Sequence, residues 1–61
     1  MQVYIINQEF RTAAKYQIMV KRGYGFFHVY PGQLFTLEKA IDICSTNNFT
    51  IIKTGTLWEC I

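Results

Sequence analysis

The chain has 61 residues, 51% of them hydrophobic and 16% charged, with a formal net charge of +2 at pH 7. That length allows one small domain, residues 1-61, burying about 60% of the surface its unfolded form exposes. The apolar fraction excludes a disordered chain, and no apolar run approaches the roughly 20 residues that would cross a bilayer. A core of this size supplies only about 3–5 kcal/mol, so close packing or self-association as a homodimer is expected to contribute.

In chain order, Gln2 to Asn7 (QVYIIN) is aromatic and β-branched, as a strand prefers. Gln8 to Ala14 reads as a loop. From Lys15 the pattern alternates, with Tyr16, Ile18 and Val20 on one face and Lys15, Gln17, Met19 and Lys21 on the other, which predicts a half-buried strand. Arg22-Gly23 supplies a tight turn, because glycine accepts the positive φ of short hairpin loops. A returning strand, Tyr24 to Tyr30, ends at Pro31-Gly32, since proline has no amide hydrogen for a ladder.

Thr36 is placed to cap a helix, and Glu38 sits where the helix dipole favours an anion. Leu37, Ala40, Ile41 and Cys44 fall at helical spacing and read as its core stripe, leaving Glu38, Lys39 and Asp42 to water. Asn47 or Asn48 can take the left-handed conformation that ends the helix. Phe49 to Thr54 and Thr56 to Ile61 then read as two strands joined at Gly55. This order, β-β-β-α-β-β, predicts an α+β fold: a small antiparallel β-sheet of four to five strands with one helix packed on one face.

The returning strand, RGYGFFHVY, raises the question of function. A period of two puts Phe27 and Val29 on the helix side, and Tyr24, Phe26, His28 and Tyr30 on the other. One helix cannot cover both faces of a sheet. The expected partner-binding surface is therefore aromatic and basic, comprising Tyr4, Lys15, Lys21, Arg22, Tyr24, Phe26, His28 and Tyr30.

Arg22-Gly23-Tyr24-Gly25-Phe26 resembles the longer signature of the RNA-recognition motif, a basic residue, glycine, an aromatic, a small residue and phenylalanine. Phe27 stands where that signature has an aliphatic, and Val29 where it has an aromatic. Val3-Tyr4-Ile5-Ile6-Asn7 resembles the family's shorter signature, with Gln8 departing from it. The resemblance implies that Tyr4, Tyr24 and Phe26 form a stacking platform for bases, and cold-shock domains carry a similar glycine-aromatic strand. Only the 14 residues from Gln8 to Lys21 separate the two signatures, too few for the helix and strand the family places there, so the chain is not assigned to it.

Charge divides unevenly. Residues 1–30 hold Arg11, Lys15, Lys21 and Arg22 against Glu9, and residues 31–61 hold Lys39 and Lys53 against Glu38, Asp42 and Glu59, giving +3 and −1. A total of +2 is small for a protein that neutralises many phosphates. His28 is the only histidine, Cys44 and Cys60 lack metal-ligand spacing, and no nucleophile, base or carboxylate pair stands out. Both cysteines read as buried free thiols, and Trp58 as core. No enzyme activity, metal or cofactor is expected. The absence of a charged leader before an apolar run, together with free thiols, leads to a cytoplasmic expectation. It also leaves the Asn48-Phe49-Thr50 glycosylation sequon idle.

Residues with AT-rich codons (Phe, Tyr, Met, Ile, Asn, Lys) outnumber those with GC-rich codons (Gly, Ala, Arg, Pro) by 26 to 10, a style common in bacteriophage and mobile elements. The sequence thus predicts a small intracellular binding protein, a phage-type modulator or inhibitor that occludes a host protein surface. The alternative is single-stranded nucleic-acid binding by base stacking.

Overall fold

A computed structural model describes residues Met1 to Ile61. The elements are β1 (Gln2–Asn7), β2 (Tyr16–Arg22), β3 (Gly25–His28), α1 (Leu37–Thr46), β4 (Thr50–Thr56) and a single-turn α2 (Leu57–Cys60). The strands form one sheet in the order β3-β2-β1-β4. No helix is long and apolar enough to cross a membrane.

β1 lies inside the sheet, and Val3, Ile5 and Ile6 are almost fully buried on its two faces. It pairs antiparallel with β2, with Tyr4 opposite Met19 and Ile5 opposite Ile18. The loop from Gln8 to Lys15 closes with the Gln8 amide donating to the Lys15 carbonyl at 2.8 Å, and the Glu9 amide donates to the Asn7 side-chain oxygen. β2 turns into β3 through Gly23, whose φ of 58° is one that a side chain would strain. Val20 then stands opposite Phe27, and Met19 opposite His28. After β3 the chain turns at Pro31-Gly32, with φ of 77° at Gly32, and Phe35 returns to exchange both backbone hydrogen bonds with Tyr16.

Thr36 caps α1 by accepting from the Lys39 amide, and Asn48, with φ of 58°, follows its last turn, as the sequence predicts. The buried stripe is rotated from the predicted one. Ala40 and Cys44 are buried and Ile43 is half-buried, whereas Leu37 and Ile41 are exposed. These residues close over Val3, Ile5 and Ile18 to form the main core.

Two features of the predicted fold are corrected. The sheet is mixed, because β4 runs parallel to β1, from Gln2 opposite Thr50 to Asn7 opposite Thr56. The physical reason is the crossover itself. A helix between strands carries the chain back to the end where it started, which is the connection that parallel pairing requires. The second correction is the fifth strand. β4 runs on through Gly55, and Thr56 ends it by capping α2 instead of starting another strand.

α2 is held by a reciprocal pair: the Glu59 amide donates to Thr56 Oγ1, and the Thr56 amide donates to Glu59 Oε1 at 2.9 Å. Lys53 Nζ adds a 2.6 Å bond to the Glu59 carbonyl. This turn buries Cys60 against Ile6 and Met19 on the face opposite α1, as a second, smaller core.

Candidate binding surface on the open face of the sheet

The returning strand divides its side chains as the period of two predicts over β3 itself. Phe26 packs with Tyr4, Ile6 and Met19 on the face away from α1, and the ladder puts His28 beside Met19 there. Phe27 shares the helix-side face with Val20 but is 56% exposed, because α1 lies over β2 and β4 and leaves the edge strand β3 bare. The expectation that Phe27 is core is corrected on that ground.

Tyr30 is also corrected. It lies beyond the end of β3, where the alternation no longer holds, and packs against the main core with its ring edge-on to Phe35 at 5.8 Å. It takes no part in the open face. Tyr24 occupies the hairpin turn and is fully exposed. Lys15 precedes β2, is half-buried, and lines neither cleft described below. Trp58, expected in the core, is 79% exposed on α2, whose buried residue is Cys60.

Tyr4 and Phe26 meet edge to face at 5.4 Å, and Lys21 Nζ stands 5.9 Å from the centre of the Phe26 ring. On one side of this pair is a cleft of about 510 Å³, with Met19, Tyr24, Phe26, His28, Leu57 and Ile61 among its walls. Leu57 and Ile61 are the residues sequence reasoning missed, since they reach the face only because α2 folds across it. On the other side is a cleft of about 430 Å³, bounded by Gln2, Tyr4, Lys21 and Ile52 and also by Val20 and Arg22, which alternate with Lys21 along the strand, so that this cleft wraps round the end of the sheet. The sites expected at Tyr4, Lys21, Arg22, Tyr24, Phe26 and His28 thus gather around these two concavities.

Burial raises the thiol pKa of Cys44, and likewise that of Cys60, where the neighbouring Lys53 only partly offsets it. Both thiols are therefore neutral at pH 7 and poor nucleophiles. The Glu59 carboxyl is held below its ordinary range, first by the Thr56 backbone amide and then by the Thr56 hydroxyl. No three His, Cys, Asp or Glu side chains cluster as a metal centre.

No family model, curated protein or solved structure matches the chain.

Proposed function

We propose that the chain is a small non-enzymatic binding protein that occludes a protein partner through the open face of its sheet. We place it with phage or mobile-element modulators and inhibitors of host proteins. The observation that carries this reading is the apolar cleft beside Phe26, open to solvent and bordered by Tyr24, with Lys21 and Arg22 beyond the Tyr4–Phe26 pair. Protein hot spots combine an apolar pocket, Tyr and Arg, and they fill by accepting a partner's side chain. A standard interface takes about 800 Å² from each partner, roughly a fifth of this chain's 4287 Å². A chain this small could therefore shield a functional surface with one face.

The non-enzymatic reading rests on the cleft's chemistry. His28 there has no Asp or Glu side chain among the lining residues to orient it as a base. A continuous stack of bases across Tyr4 and Phe26 is disfavoured by the ring geometry, because planes standing at 82° offer no common stacking face.

Affinity capture from a lysate of the organism that carries the gene, with and without nuclease, tests the proposal. One stoichiometric protein that survives nuclease supports it. Recovery lost on nuclease treatment, with binding of mixed single strands at low salt, would replace it by nucleic-acid binding. A dimer in sedimentation with Phe26 protected would assign the face to a second copy.

A further inference from the structure

The two clefts differ in character. The first is bounded mainly by apolar and aromatic groups, and the second carries Lys21 and Arg22 as its only charged side chains. Phe26 lines the first, Tyr4 lines the second, and their edge-to-face contact forms the ridge between them. The side-chain carboxylates lie elsewhere. Glu38 and Asp42 are on α1, Glu9 is in the loop after β1, and Glu59 is engaged by Thr56. Lys21 and Arg22 are both exposed, and their charge is free to meet an incoming anion.

Resting on the protein-binding reading above, we infer that the partner presents an extended acidic segment. One apolar side chain enters the cleft at Met19 and Phe26, and one or two carboxylates meet Lys21 and Arg22. The spacing follows from the ladder. Met19 borders the first cleft and Lys21, two residues on, the second, so the two contacts are about 7 Å apart at about 3.4 Å per residue along β2. An extended chain covers that distance in about two residues, which also keeps both side chains on one face. The recognised pattern is thus an apolar residue and a carboxylate two positions apart, on one face of the extended segment. The apolar anchor supplies affinity, and the carboxylates supply register and encounter rate.

The probes are capped heptapeptides, Ser-Phe-Ser-Asp-Ser-Asp-Ser and its reversed sequence, titrated into the isotope-labelled full chain at low salt and followed by NMR. We expect amide shifts at Met19 and His28 together with Lys21 and Arg22. Replacing both peptide aspartates by asparagine is expected to weaken binding about fivefold, as exposed charge pairs do, and Lys21→Gln with Arg22→Gln to give the same loss. Peptides that move the first cleft equally with aspartate or asparagine would overturn the acidic segment and leave the apolar-anchor reading standing. If no peptide moves either cleft, both fall. Tighter binding of an oligothymidylate, with shifts centred on Lys21 and Arg22, would assign the cations to phosphate and overturn the inference.

Discussion

Tyr4 and Phe26 touch across an intervening strand. Tyr4 belongs to β1 and Phe26 to β3, and their rings meet edge to face at 5.4 Å above Met19, which is only 7% exposed. The contact ties the hairpin's outer strand to the centre of the sheet, on a face where α1 offers no support.

Such a pair is worth about 0.5–1.5 kcal/mol beyond its area burial. A double-mutant cycle with Tyr4→Leu and Phe26→Leu, measured by urea denaturation, should return a coupling of about 1 kcal/mol. A coupling near zero would mean that the rings pack independently.

The main core is small enough that single deletions should be decisive. Ile5 is fully buried, and Ile→Ala at such a site costs about 2–5 kcal/mol, comparable with the whole stability of about 3–5 kcal/mol expected of a chain this size. Ile5→Ala should be largely unfolded at 25 °C by circular dichroism. Ile41→Ala, at a position 45% exposed, should lose less than about 1 kcal/mol. Equal losses would contradict the helix orientation.

Much of this arrangement is legible in the residues, and the exceptions share a cause. The glycine turn, the Thr36 cap and the Asn48 stop are local signals, and each holds; the alternation at Tyr16 to Lys21 holds for the facing of the side chains, but Met19, expected on the water side, is buried with Ile6 and Cys60 where α2 crosses that face. Leu37, Ile41 and Phe27 fail because their burial depends on where α1 sits over the sheet, which no local pattern encodes. Tyr30 fails because the strand, and with it the period of two, ends at His28. The α2 turn, by contrast, was readable: Thr56-Leu57-Trp58-Glu59 has the spacing of a capping box. Its apolar, aromatic composition also suits a strand, and that reading concealed it. With α2 went Leu57 and Ile61, two walls of the candidate site.

Removing the cap should release α2 without unfolding the sheet. Thr56→Ala costs about 1 kcal/mol of local stability, so labelling of the Cys60 thiol by a maleimide should accelerate about fivefold. Cys44, beneath α1 on the opposite face, should react at its original rate. Acceleration of both thiols would indicate global loosening instead.

Acid should release the same turn. The folded-state pKa of Glu59 lies below its ordinary value because the Thr56 amide and hydroxyl donate to its carboxylate. Its contribution is therefore complete above the ordinary glutamate value and lost as pH falls through the depressed one. The amide signals of Cys60 and Ile61 should titrate in that acidic window, and Glu59→Gln, which keeps an acceptor for the cap, should abolish the step. A midpoint at or above the ordinary glutamate value would contradict the hydrogen-bonded latch.

The most direct test of the open face as the binding surface compares two adjacent phenylalanines. Phe26 and Phe27 are neighbours on β3 whose rings lie on opposite faces of the sheet. With the captured partner in hand, Phe26→Ala should weaken binding at least tenfold in calorimetry, as a hot-spot truncation does, while Phe27→Ala leaves it within about twofold. Binding lost with Phe27→Ala and retained with Phe26→Ala would place the contact on the helix side and contradict the account.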